Sequence, residues 1–293
     1  MRTDEFLDYL RLDRNYSTLT VVKYEASLRM FEDFFKSERA DIEWETVDPD
    51  LIRNWMEKMV DDGNRASTVN GRLSAVRSFY RYALKRGLVS RNPAYGVTGP
   101  KKEKCLPKFI REKDMDALLS PEMWNQTYED VCARTILMVF YETGIRIAEM
   151  VALEDGMVDF TNSQLKVTGK RNKQRIIPFG EELAVALDEY ISLRDQQVER
   201  RQSGLFLTVK GKRMTDPQVR KLVKAQLGRV TTQQKRSPHV LRHTFATTML
   251  NHEAGLESVK KLLGHESLAT TEIYTHTTFE QLKKIYSKAH PRS

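Results

Sequence analysis

A chain of 293 residues is long enough for about two compact units with separate cores, and its 40% hydrophobic and 30% charged residues exclude both a disordered tail and a membrane-embedded protein. Its two cysteines, Cys105 and Cys132, lie outside any CxxC and exclude a disulfide framework, while the longest apolar run, Ile136 to Tyr141, falls far short of the roughly 20 residues of a bilayer-spanning helix. Lys and Arg number 48 against 40 Asp and Glu, a net charge of +8 that favours a polyanionic partner.

The first residues, Met1 to Glu5, lack the apolar stretch of a signal peptide, so a cytoplasmic protein in a reducing compartment is expected. Residues 1–95 read as a helical domain, with apolar residues recurring at steps of three and four. One helix is predicted over Phe6 to Leu12, and a second follows Ser17 and Thr18 with Leu19, Val22, Ala26, Met30, Phe31 and Phe34 on one face. A third has Asp48 as its N-cap and Pro49 in its first turn, where the missing N–H costs nothing, and it ends at Gly63. The fourth runs from a Ser67 cap to Arg86, with Gly87 as a left-handed C-terminal cap. Its apolar stripe, Val69, Leu73, Val76, Tyr80 and Ala83, lies opposite Arg77, Arg81, Lys85 and Arg86.

From Gly63 to Lys102 there are nine basic residues and no acidic one, whereas a merely solvated surface mixes both signs. Arg72, Arg77, Arg81 and Lys85 are therefore candidate DNA contacts. Residues 96–107, with Gly96, Gly99-Pro100 and Lys101-Lys102, have the breaker content of a linker, which leaves residues 108–293 as the second domain.

That second domain is again mostly helical. A helix from Tyr128 to Thr143 stops at Gly144. Gln164 to Val167 and Gln174 to Phe179 flank the polar turn Gly169-Lys170-Arg171-Asn172-Lys173 and read as a β-hairpin. Helices resume from Glu181 to Asp195, Pro217 to Gly228, His239 to His252, Leu256 to Leu263, Leu268 to Tyr274 and Phe279 to Lys288. The last carries Phe279, Leu282, Ile285 and Tyr286 and is too short to be stable unless docked, either on its own domain or on a neighbouring protomer. The fold class is mainly α with a small antiparallel β-sheet.

Three separated segments concentrate reactive residues: TGIRIAE (Thr143 to Glu149), SPHVLRHTFATT (Ser237 to Thr248) and LLGHESLATTEIYTHT (Leu262 to Thr277). Each has a plain alternative when taken alone. Arg146 is spaced to pair with Glu149 one turn later, and Tyr274 suits packing. His239 and His243 have i, i+4 spacing, but without an HExxH glutamate or a cysteine set no metal site is predicted. Together, two arginines supply forked donors for a phosphate, two histidines supply donors or acceptors near neutral pH, and a tyrosine supplies an oxygen nucleophile. This set suits attack on a phosphodiester with no metal and no other cofactor, and the carboxylate cluster that a two-metal nuclease needs is missing from these segments.

The segments resemble the tyrosine recombinase (phage integrase) family, and within it the Xer branch, over nearly the whole chain. Arg146 in TGIRIAE stands where the family has its first arginine, and Lys170 in VTGKRNKQRIIP where it has its hairpin lysine. His239 and Arg242 in HVLRHTFAT match its HxxR pair, His265 in LLGHESLATT its further histidine, and Tyr274 in EIYTH its nucleophile. The stretches RNYSTLTVVKYEASLRMF and TVNGRLSAVRSFYRYA resemble the family's core-binding domain. One departure is Arg171, in a position where the family commonly has glycine; it either adds a phosphate contact or changes the turn.

The resemblance implies a two-domain clamp, with an N-terminal core-binding domain and a catalytic domain whose last helix contacts a neighbouring protomer, docking on its own domain being the rival reading. It implies a site-specific recombinase acting on double-stranded DNA through a 3′-phosphotyrosine and a Holliday junction. Such an enzyme works as a homo- or hetero-tetramer on two DNA sites, with or without an accessory activator, in the nucleoid. Its task is chromosome-dimer resolution or mobile-element integration and excision. Arg146, Arg242 and His265 would hold the growing charge, Lys170 would be the general acid, and His239 would assist proton transfer from Tyr274. Glu149 either orients His239 or Arg146 or is a first-turn helix acid, and Lys173 and Arg175 either contact DNA from the hairpin or belong to a solvated turn. A type IB topoisomerase-like enzyme would share the phosphotyrosine but relax DNA without exchanging partners. A catalytically silent DNA-binding protein would have lost one or more of the six groups, all of which are present.

Overall fold

Helix ends in the first part of the chain follow capping chemistry closely. The computed structural model describes residues 3–101, 108–169, 173–264 and 276–292, which fall into two units, Met1–Cys105 and Leu106–Ser293. The first unit begins with α1 (Thr3–Leu12). Helix α2 (Thr18–Glu38) starts at Ser17, whose Oγ accepts from the Thr20 N–H at 3.3 Å. Helix α3 (Pro49–Asp61) starts at Asp48, whose carboxylate accepts from the Leu51 N–H at 2.8 Å, with Pro49 in the first turn. Helix α4 (Ala66–Lys85) departs from the expectation: its N-cap is Arg65, which offers no side-chain bond, and Ser67 lies inside the first turn. At the other end Gly87, with φ +70°, lets the Leu88 N–H return to the Ala83 carbonyl at 2.9 Å.

Phe6, Phe31, Phe35, Trp44, Trp55, Phe79 and Tyr80 form the aromatic centre of this unit. The Tyr80 hydroxyl donates to the Trp44 carbonyl at 2.9 Å and the Trp44 indole N–H to Glu32 at 3.1 Å, so both polar handles are satisfied. The stripe of α4 is buried as read. On α2 the inward face differs: Val21, Leu28, Phe31, Phe34 and Phe35 are buried, while Leu19, Val22 and Met30 are exposed. That helix is apolar around much of its circumference, and Phe31 with Phe35, one turn apart, brings the most area to the aromatic centre and so sets its rotation. The stretch from Gly96 to Pro100, read as the start of a linker, is docked on α4. Val97 is buried, Arg77 donates to the Val97 carbonyl, and Asn70 donates to the Pro100 carbonyl at 2.8 Å.

In the second unit α5 (Glu112–Leu119) leads to α6 (Tyr128–Thr143), which is buried along nearly its whole length, and then to the short α7 (Ile147–Val151). An antiparallel sheet of β1 (Val158–Asp159), β2 (Gln164–Thr168) and β3 (Gln174–Pro178) follows, in that spatial order. Strand β1 is a two-residue addition with no period for a sequence to display. Partners Leu165↔Ile177 and Val167↔Arg175 lie on the buried face of the hairpin, and Lys166↔Ile176 on the open one. Four more helices follow: α8 (Glu181–Gln197), α9 (Asp216–Leu227), α10 (Pro238–Asn251) and α11 (Leu256–Leu263). Helix α6 packs against both α8 and α10.

The last helix, α12 (His276–Ala289), expected to contact a neighbouring protomer, packs instead on its own domain against α10, α11 and β3. Leu282, Tyr286, Ala289 and His290 are buried there, with the Tyr286 and His290 rings stacked at 5.2 Å. The helix read from Leu268 to Tyr274 lies outside the described residues.

Candidate active site

The site is assembled at the C-terminal end of α11. Helix α6 stops at Gly144, whose φ of +57° and crowding exclude a side chain: a Cβ there would lie 2.9 Å from the Leu263 side chain. Two residues later Arg146 caps α7, and the Glu149 carboxylate returns to accept from the Arg146 N–H at 2.7 Å and from its Nη1 at 3.1 Å. Arg242, one turn into α10 from His239, is buried and donates from Nη1 to the Gly144 carbonyl at 2.6 Å and from Nη2 to the Leu263 carbonyl at 2.7 Å. Arg146 Nη2 donates to the Gly264 carbonyl at 3.0 Å, and Arg175 Nε to the Leu262 carbonyl at 3.0 Å.

Three successive carbonyls, those of Leu262, Leu263 and Gly264, thus each receive one guanidinium. The last carbonyls of a helix have no partner within it and carry the negative end of its dipole, so they anchor cations. Gly264 caps α11 in the left-handed conformation, and His265 is the next residue in the chain. The arginines are therefore tied to the base of the segment that continues to Tyr274.

Among the described residues the charge at this point is unbalanced: Arg146 and Arg175 share the buried carboxylate of Glu149, while Arg242 beside them bonds main-chain carbonyls only. Burial alone would raise the Glu149 carboxyl, but the bonds from Arg175 and Arg146 outweigh it and hold the group below its ordinary range. Burial, then the like charges of Arg146 and Arg175, push the Arg242 guanidinium down to about 10, still charged at neutral pH. Such a cluster holds a phosphate and the negative charge that grows on it.

His239 lies at the start of α10, on the solvent side, with its ring 6.1 Å from that of His243 and nearly parallel to it. Burial first, then His243, Arg242, Lys235 and Arg220, lower its proton affinity below that of an ordinary imidazole, which favours the proton-accepting form at neutral pH. Among the described residues no group of three His, Cys, Asp or Glu side chains is arranged to hold a metal ion.

Lys170, His265 and Tyr274 lie outside the described residues, as does Arg171. Around Lys170 the hairpin mouth is closed by the Gly169 N–H, which donates to the Lys173 carbonyl at 2.7 Å, and Lys173 is exposed. Arg175 requires a correction. Read as a DNA contact or a solvated turn residue, it is 8% exposed and bonded to Glu149 through both terminal nitrogens, because its place on β3 is in phase with the inward Ile177. The same bonds decide Glu149: it anchors Arg146 and Arg175 rather than serving only as a first-turn acid. In the first unit Arg81 and Lys85 are exposed. Arg72 is half-buried with its Nη1 3.3 Å from Met59 Sδ, and Arg77 is half-buried on the Val97 carbonyl.

The family model described as "Phage integrase family" matches residues 108–281, and that described as "Phage integrase, N-terminal SAM-like domain" matches residues 3–87. Tyrosine recombinase XerC of Chlorobaculum tepidum is 38% identical, covering 99% of this chain and 94% of that protein. Tyrosine recombinase XerC of Pelotomaculum thermopropionicum is 36% identical, covering 99% and 98%. Among solved structures, XerH site-specific recombinase bound to palindromic difH substrate, a post-cleavage complex, matches with a TM-score of 0.73 at 21% identity, over 94% of this chain and 81% of that one. A lambda integrase dimer bound to a COC′ core site matches with a TM-score of 0.68 at 14% identity, over 92% and 97%. These two structures share the fold. Among the described residues no helix is long and apolar enough to cross a membrane.

Proposed function

Because this chain belongs to the phage integrase family of tyrosine recombinases, we propose that it is a site-specific DNA recombinase that cuts and rejoins double-stranded DNA through a phosphotyrosine. The observation that carries the chemistry is the convergence of Arg146 and Arg242 on the end of α11, with more positive charge among the described residues than the Glu149 carboxylate beside them balances.

In this reading the Tyr274 hydroxyl oxygen attacks the scissile phosphorus. The new bond is a 3′-phosphotyrosine, and the bond that breaks releases a 5′-hydroxyl. Arg146 and Arg242 hold the charge on the non-bridging oxygens as phosphorus becomes five-coordinate, and His265 adds a third donor. A phenol of pKa about 10 is protonated at neutral pH, and His239, held in its neutral form, takes that proton. Lys170 gives a proton to the departing oxygen. The energy of the broken phosphodiester is kept in the protein–DNA link, so a partner strand's 5′-hydroxyl reverses the step without a nucleotide cofactor.

The partner is double-stranded DNA, bound in a tetramer on two sites and exchanged through a Holliday junction. The protein then works in the cytoplasm, at the nucleoid. Nicked suicide duplexes carrying a randomised library test the reading. Wild-type protein forms a covalent adduct, and Tyr274→Phe shifts the selected duplex in a gel but forms none. An adduct with Tyr274→Phe would make another residue the nucleophile, and plasmid relaxation without recombinant products would make the enzyme a topoisomerase.

A further inference from the structure

The mechanism uses Arg146 and Arg242 and leaves the third guanidinium of the cluster without a part. Arg175 is too buried to reach a DNA phosphate from the hairpin surface. Its two terminal nitrogens close on the two oxygens of Glu149 at 2.6 and 2.9 Å, and its Nε holds the Leu262 carbonyl. Arg146 has a looser share of the same carboxylate, one side-chain bond at 3.1 Å, and its side chain is 40% exposed. Gly169, which precedes Lys170, passes over the pair so closely that a Cβ there would lie 3.3 Å from Glu149 Oε1.

Glu149 has two effects on Arg146 that conflict. Its bonds to the Arg146 main chain and side chain fix the guanidinium in direction, which a transition-state donor needs. Its negative charge, left alone with Arg146, would make a neutral pair, and a neutral pair stabilises little charge on a phosphate. A bidentate guanidinium on the far side of the carboxylate removes the conflict, since forked pairing is the stronger of the two available. Resting on the recombinase reading, we propose that Arg175 is a positioning residue that takes up the charge of Glu149, so that Glu149 orients Arg146 without cancelling the positive charge Arg146 brings to the scissile phosphate.

The full-length protein and a nicked suicide duplex that traps the wild-type enzyme provide the test, with single-turnover adduct formation as the readout. Arg175→Met leaves Glu149 to Arg146 alone, and adduct formation should fall about 10²-fold with little change in duplex affinity. Adding Glu149→Gln keeps an oxygen for the Arg146 N–H and removes the charge, so the double variant should run about tenfold faster than Arg175→Met. A strut with a purely mechanical role predicts the opposite, because the second substitution removes a further buried partner. A double variant no faster than Arg175→Met, with both binding duplex and melting alike, overturns the proposal. Should Arg175→Met not fold, Arg175→Lys supplies the same comparison: a single ammonium satisfies the carboxylate incompletely, and Glu149→Gln should again speed it. Failure of the wild-type protein to form any adduct counts against the recombinase reading instead.

Discussion

Arg194 and Arg242 are both buried guanidiniums of the second unit, and their surroundings push them in opposite directions. Arg194, on α8, donates to Asp155 from both terminal nitrogens at 2.8 and 3.0 Å, to Asp195 from Nε at 2.8 Å and to the Leu205 carbonyl at 2.9 Å. Arg200 also reaches Asp155, so two guanidiniums meet two carboxylates. Burial would loosen Arg194's proton, but Asp195 and Asp155 reverse the effect and raise its pKa. Arg242 meets main-chain carbonyls only, beside two other arginines and one glutamate, and burial and like charge lower it. Uncompensated like charge is unfavourable in a fold. A network that balances itself serves the fold, whereas an excess of positive charge among the described residues suits an anion from outside.

The largest effects come from removing each arginine in turn. Arg242→Met should slow adduct formation by about 10² to 10³ while changing duplex affinity far less. Arg194→Met should leave the adduct rate per folded molecule unchanged and lower stability by about 2 kcal/mol, because it removes the bonds of a fully buried guanidinium to Asp195 and the Leu205 carbonyl, while Arg200 still holds Asp155. Single-turnover kinetics and urea titrations of both variants check the contrast. If Arg242→Met loses as much stability as Arg194→Met and keeps its rate, the excess charge near α11 belongs to the fold and not to the chemistry.

Glu142 sharpens the comparison from the acidic side. It is fully buried on α6, its Oε2 accepting from the Gly180 N–H at 3.4 Å and the Tyr286 hydroxyl at 3.5 Å, and among the described residues no cation bonds to it. Burial pushes the carboxyl up to about 8, so it is protonated at neutral pH. Arg194 meets burial by pairing and Glu142 by taking a proton; Arg242 does neither. Because the folded-state pKa is raised, the stability contributed by protonated Glu142 is complete below the unfolded value and is lost as pH rises through about 8. Glu142→Gln should therefore keep about 2 kcal/mol that the wild type loses between roughly pH 6.5 and 9, seen as a flatter melting temperature over that range. Equal slopes in the two proteins would mean that Glu142 is ionised where it stands.

Much of this organisation is legible in the sequence because it rests on local chemistry. Ser17, Asp48, Gly87 and Gly144 mark helix ends through bonds or backbone angles within a few residues. The hairpin strands show their period, and that same period held the signal for Arg175, which lies two residues before Ile177 and so shares its inward face. Being basic and close to Lys173 suggests a surface residue, and nothing local names Glu149, 26 positions earlier, as its partner. The rotation of α2 was similarly hidden, since apolar residues surround the helix and only Trp44, Trp55 and Phe79, distant in the chain, decide which of them turn inward. Glu149 shows the same limit: its spacing from Arg146 is visible, but its dual role depends on a strand that the chain brings back later.

The smallest expected effect lies on α4, where exposure separates four basic residues that the sequence treats alike. Arg81 and Lys85 are exposed, whereas Arg72 reaches Met59 and Arg77 holds the Val97 carbonyl. A cation that neutralises a DNA phosphate releases a counterion, so each such contact adds about 0.9 to the slope of log affinity against log salt. Arg81→Ala and Lys85→Ala should each reduce the slope by about that amount and weaken binding uniformly across sequences, without altering the adduct rate of bound protein. Arg77→Ala should move the slope less and lower stability by about 1 kcal/mol, since its donor already serves the fold. Salt titrations of the three alanine variants on one duplex decide the matter. Equal slopes for Arg77→Ala and Arg81→Ala would mean that the bond to Val97 opens on DNA, and that residues 94–100 rearrange when the helix meets its ligand.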